Sequence, residues 1–277
     1  MCYIDLHVHS TASDGTYTPS ELIGMAKQLN LSAIALTDHD TIDGIEEAVA
    51  KASSSSVTLI PGIELSCGYG SREIHMLGLN IDYTNQHFIQ HIEYMRQTRY
   101  TRNLEIIEKF HDIGIDISYE EMNTMFEDTV ITRTHFAAYL YRKGHVTSVK
   151  DAFDRYLNDY GCCYVPRFLI PAHETIQIIH EASGFAVLAH PVRYHMGADE
   201  TSKMVSALSR SGLDGIEALY STYTNSDEIF MRRLAKENHL FITGGSDFHG
   251  DNKPRIQLGS GMGRLKVPAE LLKNIMR

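Results

Sequence analysis

The chain has 277 residues, enough for one large domain or two modest ones, and its hydrophobic fraction of 43% is that of an ordinary globular protein. Acidic residues outnumber basic ones 35 to 25, a formal charge of −10, which argues against a broad nucleic-acid-binding surface and so against extended DNA as a partner. Cys2, Cys67, Cys162 and Cys163 form no CxxC pair, so neither a disulfide framework nor a thiolate zinc site is indicated. The sequence opens directly into a strand pattern at Met1-Cys2-Tyr3-Ile4-Asp5, and no signal-peptide pattern or apolar run of transmembrane length is present. The expectation is a cytoplasmic protein without a membrane partner.

Cys2 to Val8 reads as a strand. Thr18-Pro19-Ser20-Glu21 then reads as a helix start, with Thr18 as N-cap, Pro19 at the first helical position and Glu21 closing a capping box. Leu22, Met25, Ala26 and Leu29 continue it at helical spacing. Ser32 to Leu36 is a second strand, Asp43 to Lys51 a short helix, Val57 to Ile63 a third strand and Ile74 to Ile81 a fourth. Such alternation predicts parallel strands joined by crossover helices. From about Asn85 the rhythm changes to helical pieces: Gln86 to His111, then Tyr119–Phe126, Thr134–Arg142 and Val149–Asn158. The alternation returns with a helix over His173–Ala182, a strand over Phe185–Ala189, a helix over Met204–Ser211, a strand over Gly215–Leu219, a helix over Ser226–Glu237 and a strand over Leu240–Gly244. The organisation predicted is an α/β domain of residues 1–84 and 172–277 with a helical insertion of residues 85–171. Seven parallel strands covered on both faces can close into a barrel.

Imidazole and carboxylate groups gather at the predicted strand ends. His7 and His9 end the first strand and Asp14 follows; Asp38 and His39 follow the second, and Glu64 the third. His190 follows the fifth strand, Glu217 lies on the sixth, and Asp247 and His249 follow the seventh. His75 fits less well, near the start of the fourth strand. In parallel α/β folds the ligand site lies at that edge. Alternation along a strand puts Asp5, His7 and His9 on one face, and Asp247 and His249 likewise if the chain stays extended there. Burying this many imidazoles and carboxylates without partners would be very costly, so the set points to divalent metal, with donors that suit Zn, Mn or Fe. The chain has fifteen histidines; those in helical or terminal settings, such as His87, His111 and His180, read as surface or hydrogen-bonded residues instead.

The motifs Asp5-Leu6-His7-Val8-His9-Ser10 with Ser13-Asp14-Gly15, Thr37-Asp38-His39-Asp40, Pro61-Gly62-Ile63-Glu64, His75, His190-Pro191 and Gly245-Ser246-Asp247-Phe248-His249 occur in this order. With them the sequence resembles the polymerase and histidinol phosphatase (PHP) family of metallophosphoesterases. The resemblance implies an α/β fold, a distorted seven-stranded (β/α)7 barrel, and two or three divalent metal ions (Mn, Zn or Fe). Carried over by position, His7, His9, Glu64 and Asp247 would hold one ion, Glu64, His75 and His190 a second with Glu64 bridging, and Asp14, His39 and His249 a third. It further implies hydrolysis of a phosphate ester by attack of a metal-bridging hydroxide. The segments Ile131-Thr132-Arg133-Thr134-His135 and His190-Pro191-Val192-Arg193-Tyr194 resemble the small nucleotide-acting members. Those members include enzymes that remove the 3′-phosphate of nucleoside 3′,5′-bisphosphates. The implied partner is therefore a phosphorylated small molecule, a nucleotide, with short RNA ends as a further substrate class.

Within that frame Asp38, Arg133 and His135 are the catalytic candidates, Asp38 by orienting a ligand histidine. Arg133, His135, Arg193 and Tyr194 are candidates for substrate binding, the arginines because their fork matches phosphate oxygens and Tyr194 as a stacking platform. A surface ion pair would equally account for Arg133 or Arg193, and a helix-cap contact for His135. Glu217 reads as a ligand, as a group supporting a ligand or as a plain strand-face carboxylate, the supporting role being the preferred one. Histidinol-phosphate phosphatase, a short-RNA 5′-3′ exonuclease and a non-catalytic metal-stabilised module are the competing readings.

Overall fold

The computed structural model describes residues 2–126, 129–166 and 168–276. The chain divides into two compact units, Met1–His91 with Leu169–Arg277, and Ile92–Phe168. The first unit is built on one sheet of eight strands: β1 (Tyr3–Val8), β2 (Leu31–Leu36), β3 (Thr58–Tyr69), β4 (Arg72–Leu79), β5 (Phe185–Leu188), β6 (Gly215–Tyr220), β7 (Phe241–Gly245) and β8 (Val267–Pro268). Their spatial order is β7-β6-β5-β4-β3-β2-β1-β8. The sheet curls until β7 meets β1. There the Asp247 amide donates to His7 O at 2.9 Å and the His9 amide to Phe248 O at 3.0 Å. The architecture is the α/β barrel expected from the sequence.

Two helices, α1 (Pro19–Gln28) and α2 (Ile45–Ala52), connect the first parallel strands. Thr18 caps α1 as its sequence predicts: the Thr18 hydroxyl accepts from the Glu21 amide and the Glu21 carboxylate from the Thr18 amide. Ile4, Leu6, Ala33, Ala35, Ile60, Leu77, Leu79, Val187 and Val267 form the barrel interior at its lower end. Alternate strand residues point there, which sends the polar side chains of the strand ends to the opposite rim.

The sheet departs from the expected all-parallel arrangement in two places. β4 runs antiparallel to both β3 and β5. It follows β3 through a tight reversal at Gly70, whose φ of +59° suits glycine, and no crossover helix separates them. The short β8 adds an antiparallel partner to β1. Reversal of β4 places its first residues at the rim where the parallel strands end, so His75 stands opposite Ser66, two residues past Glu64.

The second unit is helical. Its elements include most of α3 (Gln86–Asp112), with α4 (Tyr119–Met125), α5 (Arg133–Arg142) and α6 (Val149–Ala152), the last continued by a π-helical turn over Phe153–Leu157. Ile106, Phe110, Phe136, Leu140, Leu157 and Cys163 belong to its own buried cluster. Three helices of the first unit complete the fold, α7 (Ala172–Glu181), α8 (Ala198–Arg210) and α9 (Asn225–Glu237). Among the described residues no helix is long and apolar enough to cross a membrane.

Candidate metal centre

At the rim of the barrel Glu64 forms the middle of a buried polar cluster. Its position is fixed by backbone pairing: the Glu64 amide donates to Asp38 O at 3.1 Å and the Asp40 amide to Glu64 O at 3.0 Å, which brings His39 beside it. One carboxylate oxygen, Oε1, lies 2.9 Å from His75 Nδ1 and 2.9 Å from His190 Nε2. The other, Oε2, lies 3.3 Å from His7 Nε2, 3.2 Å from His9 Nε2 and 3.1 Å from His39 Nδ1. The two oxygens of one carboxylate thus face different sets of imidazole nitrogens.

Asp247 brings a second carboxylate to the cluster, its Oδ1 lying 3.6 Å from His7, 3.4 Å from His9 and 3.4 Å from His249. Asp14 brings a third, 3.2 Å from His249 Nε2, 3.8 Å from His39 Nε2 and 3.9 Å from His9 Nδ1. Among the described residues three groups have donor atoms within 4.8 Å of one another: His7, His9, Glu64 and Asp247; His9, Asp14, His39 and His249; and His39, Glu64 and His75. The first matches the set carried over from the family position by position. The second adds His9 to the expected trio. The third brings in His39, while His190 approaches the same Glu64 oxygen as His75.

The chemistry of these donors fits divalent cations. His7 and His9 direct their Nε2 atoms at each other, 3.1 Å apart, and at Glu64 and Asp247. Among the described residues His9 Nδ1, His39 Nδ1, His190 Nδ1 and Glu64 Oε2 are buried without a hydrogen-bond partner, a costly state unless a cation completes it. Burial alone would push the Glu64 carboxyl upward, but His39, His7 and His75 outweigh it and hold Glu64 well below the usual carboxylate range. Asp247 is held down in the same way by Lys253, His249 and His7, and Asp14 by His249 and His39. Burial pushes His39 down to about 3 and His190 to about 4, which keeps both imidazoles neutral. Ionised carboxylate and neutral imidazole are the forms that ligate metal; His7 and His9, which the neighbouring carboxylates raise despite burial, would release a proton to a cation.

Surrounding groups orient the ligands. Glu217 Oε1 lies 3.1 Å from His7 Nδ1 and its Oε2 accepts the His190 amide at 2.8 Å, the supporting role expected of it. Its bond places the His7 proton on Nδ1 and turns Nε2 toward the cluster. His249 is set similarly, with Nδ1 donating to Asp247 O at 2.9 Å. The backbone bends sharply here. Asp247 has φ +57° and His190 φ +30°, left-handed values costly for residues with a Cβ. Asp247 and His249 therefore do not share a face by strand alternation, as an extended chain would have required; the bend at Asp247 brings both inward.

Several expected roles change. Asp38 orients no histidine: it accepts the Ser10 amide at 2.7 Å, the Ser10 hydroxyl at 2.7 Å and the Ser13 hydroxyl at 2.6 Å, so it shapes the loop that presents Asp14. Asp5 points with neither His7 nor His9 into the cluster. It accepts from the Ser246 amide and hydroxyl at 2.7 and 2.5 Å and from the Gly259 amide at 2.7 Å, tying β1 to the end of β7. Tyr194 is anchored beside the centre by its hydroxyl. Its hydroxyl donates to Ala189 O at 2.7 Å and accepts from the His75 amide at 2.9 Å, with its ring edge against His190.

Arg193 Nη1 reaches Tyr220 OH at 2.7 Å and Asp247 Oδ2 at 3.3 Å, at the edge of the centre. Arg133 and His135 lie in the helical unit. Arg133 is 3.5 Å from Asp159 Oδ1, and His135 Nδ1 accepts the Thr132 amide at 3.0 Å in the capping box of α5, the ion pair and the cap contact that their sequence also allows. Tyr220 and Lys253 are neighbours of Asp247 that sequence reasoning missed. Tyr220 ends β6 three residues past Glu217, so the strand-end rule would have reached it, whereas Lys253 sits in an irregular loop with no signal.

A curled α/β sheet with a rim of clustered imidazoles and carboxylates defines a barrel hydrolase of the metal-dependent kind. The PHP domain family model matches residues 5–163, and the chain belongs to the PHP family of metal-dependent phosphoesterases. It is 37% identical to a 5′-3′ exoribonuclease of Haemophilus influenzae over 88% of this chain and 89% of that protein. It is 32% identical to a 3′,5′-nucleoside bisphosphate phosphatase of Chromobacterium violaceum over 94% of this chain and 91% of that one. A Bifidobacterium adolescentis structure, provisionally called a metal-dependent phosphoesterase, superposes with a TM-score of 0.88 at 29% identity, covering 98% of this chain and 94% of that one.

Proposed function

We propose that the protein hydrolyses phosphomonoesters of small nucleotides, such as the 3′-phosphate of a nucleoside 3′,5′-bisphosphate. The observation that carries this is Glu64, whose two oxygens face separate imidazole sets, so that this one carboxylate would help hold more than one cation. Likeness to the Chromobacterium violaceum bisphosphate phosphatase supports the substrate class. In this reading His7, His9, Asp14, His39, Glu64, His75, His190, Asp247 and His249 hold two or three divalent ions, Mn, Zn or Fe. Bound there, such ions lower the pKa of water and offset charge that develops on phosphorus oxygens.

The chain's own groups do the rest. Glu217 and the Asp247 carbonyl hold His7 and His249 in one tautomer. Asp38 fixes the loop carrying Asp14 and acts by position. Arg193, half-exposed at the edge of the centre, meets the substrate phosphate. Access is from the side of His39 and His75, whose side chains are 14% and 24% exposed while His7 and His9 are fully covered.

A second reading, 5′-3′ exonuclease action on short RNA, is favoured by likeness to the Haemophilus influenzae exoribonuclease. Phosphate and nucleotide release would be measured with Mn or Zn on nucleoside 3′,5′-bisphosphate, 5′-phosphorylated oligoribonucleotide and histidinol phosphate. The bisphosphate is expected to turn over fastest. Preferred cleavage of the oligonucleotide replaces the first reading with the second, and inertness toward all three esters rejects both.

A further inference from the structure

Asp247 carries an asymmetry that its role as a ligand does not require. Its Oδ1 faces His7, His9 and His249. Its Oδ2, pointing the other way, is approached by three donors: the Tyr220 hydroxyl at 2.5 Å, Lys253 Nζ at 2.8 Å and Arg193 Nη1 at 3.3 Å. A carboxylate oxygen offers about two in-plane lone-pair positions, so three donors oversubscribe it. Tyr220 is buried and fixed on β6, but the Lys253 and Arg193 side chains are 32% and 49% exposed. Either cation can leave Oδ2 without stripping that oxygen of its partners.

The two cations also differ in reach. Arg193 is tied by a second bond to Tyr220 OH and is stacked near its ring. Lys253 makes the single bond to Asp247, from a loop that follows a short 3-10 turn over Gly250–Asn252. A four-carbon stem with a compact ammonium is suited to following an incoming anion, whereas a twice-bonded guanidinium is suited to holding position. Both cations stand at the solvent-exposed edge of the centre, where an anion can reach them.

We infer that Lys253 is a specificity-determining residue that swings from Asp247 Oδ2 onto the terminal oxygens of a phosphomonoester, selecting a dianionic phosphate over a singly charged phosphodiester. A terminal monoester carries a second negative charge near neutral pH that a diester lacks, and a mobile ammonium at the rim rewards that charge. The inference deepens the proposed monoesterase function and rests on it.

The test uses the full-length metal-loaded protein and the variants Lys253→Met and Lys253→Arg. Inorganic phosphate and dimethyl phosphate are titrated as ligands, and kcat/KM is measured on a nucleoside 3′,5′-bisphosphate and on a phosphodiester. Lys253→Met should weaken inorganic phosphate binding about tenfold and lower the monoester-to-diester ratio of kcat/KM by about the same factor, with the metal content retained. Lys253→Arg should restore most of both. Equal losses on both ester classes, or loss of bound metal, would overturn the inference by showing that Lys253 only holds Asp247. Unchanged phosphate binding would overturn it too. Should the wild type cleave neither ester, the proposed function falls by itself, and the phosphate titration still decides whether Lys253 binds the anion.

Discussion

The cluster works by sorting protons among buried groups, and single side chains decide the sorting. Glu217 is a clear case: fully buried, it spends one oxygen on His7 Nδ1 and the other on the His190 amide. Changing it to Gln keeps the shape and removes the charge that favours an Nδ1 proton on His7. Metal affinity of Glu217→Gln should fall about 10- to 100-fold with little change in the fold, as read by metal titration of the stripped protein. Retention of wild-type affinity would mean that His7 is oriented by packing alone. The place of Glu217 on β6 brought it to notice but left ligand, support and plain strand-face carboxylate open. The role of Asp38 was not legible, because Ser10 and Ser13 become its partners only when the loop folds back over it.

Strand direction is the decision that matters most among the elements. With β4 antiparallel, His75 reaches the rim from the first half of its strand, while His7, His190 and Asp247 reach it from the ends of β1, β5 and β7. Closure at the β1–β7 seam matters as much, because it interleaves His7 and His9 with Asp247 and His249. The seam is close because Gly245 has no side chain; a Cβ there would lie 2.3 Å from His7 Cβ and 2.5 Å from His7 N. Gly245→Ala should therefore force the strands apart, destabilise the fold by about 1–3 kcal/mol and weaken metal binding together. Thermal unfolding and metal titration on one preparation check it. Lowered stability with intact metal affinity would show that the seam yields without moving His7.

At the scale of the molecule, a cation and the fold stabilise one another. A metal bound only by the native state adds about 2.7 kcal/mol at a hundredfold excess over its Kd, so chelator should lower the melting temperature and abolish ester hydrolysis in parallel. In the stripped protein pH acts from both sides. His39 and His190 stay neutral in the fold down to about 3 and about 4, while in the unfolded chain they take up protons below about 6.5. The unfolded state then binds more protons, and stability falls as the pH drops from about 6.5 toward 4. His9 is opposite: burial lowers it, but the nearby Asp247 and Glu64 carboxylates outweigh burial and raise it to about 9. Its contribution is complete below about 6.5 and fades as pH rises through 9. The metal-free melting temperature should peak near neutrality and decline on either side, and a monotonic profile would contradict this sorting of protons.

The sequence by itself determined the barrel class, the helical character of the intervening segment and most of the imidazoles and carboxylates that gather at the rim. Strand alternation and crossover rhythm are local, and the strand-end rule turns them into a short roster of imidazoles and carboxylates. Only the tertiary structure decided how those groups share protons and partners. Asp5 and His7 read alike on one strand, yet Asp5 clamps Ser246 and Gly259 while His7 faces Glu64. Asp247 and His249 converge through a left-handed bend rather than by alternation, and Lys253 enters from an irregular loop. These outcomes depend on contacts across the β1–β7 seam, between residues more than 200 positions apart, where no local pattern in the chain carries the information.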